Sequence, residues 1–176
     1  MIETLISSKT RIKLLLKFFL NSNTTAYLRG LEDEFGESTN SIRLELNRFE
    51  KAGFLDSYNQ ANKKIFKVND KHPLFKDINS IVLKLVGLDH VIDYVLQRMG
   101  DLKKVYLVGN LSQGKDSDVI DLVLVGDINE AFLIELIAKA EKKIHKTIHY
   151  IHYKESDFEI KSITKSDISP LLLWSK

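Results

Sequence analysis

No cysteine occurs in the 176 residues of the chain. That absence excludes a disulfide framework and any cysteine-ligated zinc or iron–sulfur site, and it fits a reducing cytoplasm. Long apolar runs are missing too. Leu14-Leu15-Leu16 and Phe18-Phe19-Leu20 are interrupted by Lys13 and Lys17, far short of the roughly 18–20 residues a membrane span needs. Met1-Ile2-Glu3 offers neither the basic flank nor the small-residue cleavage site of a signal peptide. There is no Gly/Ser-rich linker, no repeat and no low-complexity tract. The expectation is a soluble cytoplasmic protein with no membrane partner.

What is present is the material of ordinary globular cores: 44% hydrophobic and 28% charged residues. The length suits one large domain or two small ones. The overall net charge of +2 hides an asymmetry about Gly87. Residues 1–87 carry 14 Lys and Arg against 10 Asp and Glu, a net of +4, while residues 88–176 carry 12 against 14, a net of −2. The question of nucleic-acid binding therefore falls on the first half.

That half reads as three short helices and a hairpin. Ile12, Leu15, Leu16 and Phe19 recur at helical spacing over about Ser8 to Leu20. Asn21-Ser22-Asn23 is turn chemistry, and Thr24 or Thr25 can cap a second helix carrying Leu28, Leu31 and Phe35. Gly36 closes it. Ser38 is the expected N-cap of a third helix of about 13 residues with Ile42, Leu46 and Phe49 as its buried stripe, ended by Gly53. Residues 54–58 and 65–68 read as strands joined by the polar turn 59–64.

From His72-Pro73 onward, Leu74, Ile78, Ile81, Val82 and Leu85 predict a helix broken at Gly87. Val91, Ile92, Val95, Leu96 and Met99 predict another, ended by Gly100. Together these make a helical bridge. The remainder alternates: strands at 105–108, 119–125 and 147–153, and a helix at 130–144 with Phe132, Leu133, Leu136, Ile137 and Ile144 inward. The tail Ser169 to Lys176 is too short for a membrane anchor and is expected to dock on its own domain or a second subunit. The predicted class is α+β, with domains at 1–70, 71–99 (the bridge) and 100–176.

Helix, helix, capped helix and basic hairpin are the parts of a winged helix-turn-helix. Such a module buries one side of its recognition helix and offers small, polar and cationic side chains to the major groove. With Ile42, Leu46 and Phe49 inward, Thr39, Asn40, Arg43 and Asn47 face outward. Arg43 can pair with guanine or phosphate, Asn40 and Asn47 with adenine or phosphate, and Ser38 and Ser41 lie at the helix start where a phosphate docks. Lys63 and Lys64 at the hairpin suit the DNA backbone. Glu45 and Glu50 on the same helix would repel phosphate, and the alternative is a helical subdomain with a solvated polar face.

The stretch Ser7 to Asn69 resembles ArsR-type winged-helix transcriptional regulators. The residues that carry the resemblance are Thr24-Thr25-Ala26-Tyr27-Leu28-Arg29, the run from Gly36 to Leu46, and Lys51-Ala52-Gly53-Phe54-Leu55. It implies double-stranded DNA as partner and a homodimer. Metal-sensing members use cysteine or histidine clusters; with no cysteine and only His72 nearby, metal sensing does not carry over.

Residues 105–126 resemble the polymerase-β type of nucleotidyltransferase. Val108-Gly109-Asn110 stands where that family has a Gly-Ser turn, and Ser117 to Gly126 stands where it has Ser-Asp-Ile-Asp-Leu, an apolar strand and glycine. The departures are large. Asn110 replaces the serine, the candidate ligands Asp118 and Asp121 are three apart instead of two, and Ile148 to Tyr153 offers no third acid. Residues three apart on a strand point to opposite faces. A nucleotide ligand remains an expectation, with Gly109, Asn110, Gly114 and Lys115 as its candidate contacts, since a Gly-rich loop can cradle phosphate. His145, His149 and His152 straddle a helix end and a strand, so no metal site is expected.

The leading expectation is thus a DNA-binding regulator with a non-catalytic nucleotidyltransferase-like domain for ligand sensing or dimerisation, without a cofactor. The rival is a magnesium-dependent nucleotidyltransferase, which requires Asp118 and Asp121 to converge. A third reading is an interaction protein whose winged helix binds another protein.

Overall fold

The computed structural model describes residues 4, 6–92, 101–164 and 170–176. The chain divides into two compact units, Met1–Val82 and Leu83–Lys176. The segment read as a bridge is shared between them.

In the first unit α1 spans Lys9–Phe19 and is capped by Ser8, whose side chain accepts from the Arg11 amide. The expected cap at Thr24 or Thr25 is corrected. Thr25–Tyr27 is a short strand, β1, paired antiparallel with β3 (Lys63–Val68) in the register Thr25↔Lys67 and Tyr27↔Ile65. A β-branched and an aromatic residue suit that extended edge. Helix α2, Leu28–Phe35, therefore starts behind Tyr27 with no side-chain cap, and ends on Gly36 at φ 62°. Helix α3, Thr39–Lys51, has the expected 13 residues and the expected cap, Ser38 accepting from the Ser41 amide.

Strand β2, Leu55–Gln60, pairs with β3 as far as Gln60↔Lys63. The six-residue turn expected from composition is thus a two-residue turn, Ala61-Asn62, with Ala61 at φ 49°. Polar residues at the tip pair as well as apolar ones, because ladder bonds are made by the backbone. The sheet order is β1-β3-β2. Helix–strand–helix–helix–hairpin is the element order of a winged helix-turn-helix.

Its core holds Leu14, Phe18, Phe19, Leu31, Ile42, Leu46 and Leu55, all nearly inaccessible. Phe19 packs edge-on to Phe49 and Phe54 and stacks on Phe75, the first residue of α4 (Phe75–Val86). Asn79 of α4 donates to the Phe19 carbonyl at 2.6 Å. Of the apolar positions that predict this helix, Leu74 and Ile81 are half exposed, whereas Val82, like Val86 after it, is buried. After Gly87 a short helix, α5 (Leu88–His90), begins earlier than expected, with Leu88 and Val91 buried. The expected helical positions Val95, Leu96, Met99 and Gly100 lie outside the described residues.

The second unit is a four-stranded sheet in the order β6-β5-β4-β7. Strand β4 is Asp101–Val108 and runs straight into a four-residue helix, α6, Gly109–Ser112. Strand β5 is Val119–Asp127, antiparallel to β4. Helix α7, Glu130–Ile144, is capped by Asn129 and leads to β6, Thr147–Tyr153, which is parallel to β5. Leu133, Leu136, Ile137 and Ala140 are the buried face of α7, spaced three and four apart. Phe132 was expected there but is 40% exposed, at the margin of that stripe.

The other face of the sheet carries Tyr106, Val123 and Val125, covered by Val108, Tyr153, Phe158 and Ile163. The last two belong to the segment after β6, where a 3-10 turn (Glu155–Asp157) is followed by α8 (Ile160–Ile163). The tail docks on its own unit as β7, Leu171–Ser175, antiparallel to β4. Among the described residues no helix is long and apolar enough to cross a membrane.

Candidate functional site

Helix α3 turns Ile42, Leu46 and Phe49 into the core and leaves Asn40, Arg43, Leu44, Asn47 and Arg48 exposed. Thr39 is half buried at the helix start. Ser38 and Ser41 are committed to structure. The Ser38 hydroxyl caps the helix, and the Ser41 hydroxyl lies 2.9 Å from that of Thr10, tying α3 to α1. The outward polar face of α3 therefore centres on Asn40, Arg43 and Asn47.

The two acids on this helix do not act as expected. Glu45 is buried under two arginines: Arg11 donates from Nε at 2.9 Å and from a terminal nitrogen at 3.1 Å, and Arg48 donates at 2.8 Å. Burial alone would raise the Glu45 pKa, but the hydrogen bonds and charges of Arg11 and Arg48 outweigh it and hold the carboxyl below its ordinary value. Glu50 is held down by hydrogen bonds from Lys64 and Ser57, against a smaller effect of burial. Lys64 donates to it at 2.8 Å. Each acid is neutralised by its own cation, so neither presents an open negative charge to a polyanion.

Lys63 and Lys64 sit in β3 itself, not in a loop tip. Lys63 Nζ lies 4.1 Å above the Tyr27 ring, and Lys64 Nζ 5.1 Å above the Phe66 ring. Both thus hang over the gap between the hairpin and α3. That gap is a cavity of about 660 Å³ lined by Arg29, Arg43, Asn47, Asn62, Lys63 and Lys64, among others, and by no acid. Among the described residues Arg29, Arg43 and Lys63 make no ion pair. Arg29, Asn62 and the ring of Tyr27 were missed in the sequence. The pairing of β1 with β3 brings Tyr27 and Arg29 to the hairpin, and nothing local in the sequence signals that pairing.

No protein-family model matches the chain, and neither does any curated protein. Among solved structures, the chain is similar to reduced HlyU from Vibrio cholerae N16961, at 13% identity over 47% of this chain and 81% of that one, with a TM-score of 0.37. It is also similar to a predicted DNA-binding transcriptional regulator from E. coli, at 18% identity over 49% of this chain and 84% of that one, with a TM-score of 0.38.

The second unit has a cavity of about 460 Å³ on the sheet face opposite α7's buried stripe. Its lining includes Val108, Gly109, Asp121, His149, Tyr153 and Ile163. Gly109, at φ 69°, lets β4 turn directly into α6, and a Cβ there would stand 2.3 Å from Asp121 Oδ2. The Asp121 carboxylate therefore lies across a bare glycine, with Oδ1 3.4 Å from His149 Nδ1. Asp118 precedes β5, is exposed, and is outside this lining. The β5–β6 register runs from Val119 to Val125 without a shift, so no bulge there turns Asp118 toward Asp121.

The residues present do not fit a magnesium–triphosphate group. Magnesium wants several oxygen donors in octahedral array, and here Asp121 is the one carboxylate in the lining. Among the described residues no set of three His, Cys, Asp or Glu is placed to hold a metal. Of the candidate phosphate contacts, only Gly109 lines the cavity. The amides of Gln113, Gly114 and Lys115 donate to the carbonyls of Asn110, Leu111 and Asn110 respectively, which engages them inside their own turn. His152, on the other side of β6, bonds the Gly126 carbonyl at 2.7 Å.

Proposed function

We propose that this chain is a cytoplasmic DNA-binding transcriptional regulator, its first unit reading duplex DNA and its second sensing a ligand or mediating dimerisation. The observation that carries the reading is the acid-free gap between α3 and the hairpin, where Arg29, Arg43, Lys63 and Lys64 converge beside Asn47. Cations fix a protein on the phosphate backbone, and amide and guanidinium side chains on an exposed helix read base edges. In this reading Arg43, Asn40 and Asn47 enter the major groove, with Thr39 and the capped start of α3 near a phosphate. Lys63, Lys64 and Arg29 hold the flanking backbone. One recognition helix reads one half-site, so the functional form is a homodimer on a two-fold site.

The test is binding of the purified chain to labelled duplex DNA across a range of salt. Three backbone cations per chain (Arg29, Lys63 and Lys64) give a log–log slope of about −2.7 per chain, and Lys63→Ala reduces it by about 0.9. Absence of duplex binding even at low salt refutes the proposal. No observation favours the nucleotidyltransferase reading, which needs Asp118 and Asp121 at one site.

A further inference from the structure

We infer that the Asp121 cavity binds a small organic cation with an apolar body, not a nucleoside triphosphate. The inference rests on the ligand-sensing part of the proposed function and is independent of DNA binding. Charge decides the sign of the ligand. Asp121 is the one acid in the lining, and neither lysine nor arginine accompanies it. The one basic group there, the His149 imidazole, is already turned toward the carboxylate. A triphosphate placed against this wall would meet an anion with no compensating cation, and the nearby loop amides are engaged elsewhere.

A cation meets the opposite situation. The Asp121 side chain is about a third exposed (34%), and its 3.4 Å spacing from His149 leaves the oxygens room to accept further bonds. A flat amidinium or a primary ammonium supplies the matching charge-assisted donors. Apart from Ser162, the rest of the wall is mainly apolar or aromatic, with Val108, Val123, Ile151, Ile163 and the ring of Tyr153. Such a wall buries a hydrocarbon body, and tyrosine rings attract cations over their faces. At about 460 Å³ the space lies within the usual range for small-molecule sites.

The experiment uses the full chain and ligand-detected NMR with three probes: benzamidine, its charge-reversed isostere benzoate, and ATP with magnesium. Benzamidine is expected to bind, with affinity falling about tenfold or more in Asp121→Asn, while benzoate and ATP–magnesium do not bind. Trp174 fluorescence confirms that the variant's second unit is folded. Should that variant not fold, His149→Ala, at an exposed position, replaces it; removing the one basic group facing Asp121 tightens benzamidine binding. Asp121-dependent binding of ATP–magnesium overturns the inference, as does failure of benzamidine to bind the wild type. DNA affinity measured with saturating benzamidine separates the two ideas. Binding without an effect on DNA leaves the cavity assignment standing and removes ligand sensing.

Discussion

Replacing Glu45 by glutamine tests whether α3 depends on a buried charge network. The substitution keeps volume and shape, so packing beside Leu46 and Phe49 is retained. It removes the charge that accepts from Arg11 at 2.9 and 3.1 Å and from Arg48 at 2.8 Å. Hydrogen bonds to charged groups contribute about 1.5–3 kcal/mol when sheltered. The side chains of Arg11 and Arg48 are 38% and 62% exposed, against 6% for Glu45, so the Arg48 arm contributes little and the Arg11 fork most of the effect. The expected loss is about 2 kcal/mol at neutral pH. Its pH dependence follows from the lowered Glu45 pKa. A carboxylate stabilised by folding contributes fully above its ordinary value of 4.5 and loses that contribution as pH falls through the depressed folded value. Wild type and Glu45→Gln should therefore differ at pH 7 and converge in acid. Urea unfolding followed by far-UV circular dichroism at the two pH values measures the difference. Fluorescence of Trp174, the single tryptophan and a residue of the second unit, serves as an internal control. Equal stability at pH 7, or the same deficit at both pH values, refutes the reasoning.

Three further perturbations address other parts of the molecule. Arg29→Ala, although 14 residues from Arg43 in the chain, should reduce the salt slope of DNA binding by about 0.9, measured by fluorescence anisotropy; an unchanged slope removes it from the interface. Lys64→Ala should weaken DNA binding more in a Glu50→Gln background than in wild type, because Glu50 holds the Lys64 ammonium at 2.8 Å; additive effects in that double-mutant cycle deny the coupling. Gly36→Ala and Gly109→Ala both place alanine in the left-handed region, at φ 62° and 69°. Strain alone costs about 1–2 kcal/mol, and nothing lies within 4 Å of a Cβ at Gly36, whereas Asp121 Oδ2 would stand 2.3 Å from one at Gly109. Gly109→Ala should lower thermal stability clearly more, and parity between the two would show that Asp121 moves aside freely.

The parts of this fold written in local chemistry were legible. Ser38 caps α3, Gly36 ends α2 in a left-handed conformation, and Ile42, Leu46 and Phe49 are buried as their spacing requires. Helix α7 and strand β6 likewise have the boundaries that their periodicity indicates. Features created by non-local pairing were not legible. Thr25–Tyr27 looks like a helix start until β3 arrives to pair with it, and the tail, expected to dock, shows its strand form only where β4 offers an edge. Within the site, exposed helix positions could be derived from the buried ones. The commitment of Ser41 to Thr10 and of Glu45 to Arg11 could not, since each pair is more than 30 residues apart.

The same distinction governs the electrostatics. A net of +4 over residues 1–87 is too small to indicate a polyanion partner by itself. What matters is how the folded chain sorts those charges. Glu34 takes Lys17, Glu37 takes Lys13, Glu45 takes Arg11 and Arg48, and Glu50 takes Lys64. Four acids are thereby screened by local cations, and Arg29, Arg43 and Lys63 are left facing one gap with no acid in its lining. Opposite charges a few ångströms apart largely cancel beyond a Debye length of about 8 Å at physiological salt. A polyanion at that gap would thus meet its cations with no acid in the lining, the acids of this unit that are not ion-paired lying outside it. The second unit sorts in the reverse sense, leaving Asp121 in a lining without lysine or arginine. One chain therefore carries a groove lined by cations without an acid and a pocket lined by an acid without lysine or arginine, and the proposed DNA binding and ligand binding assign opposite partners to the two.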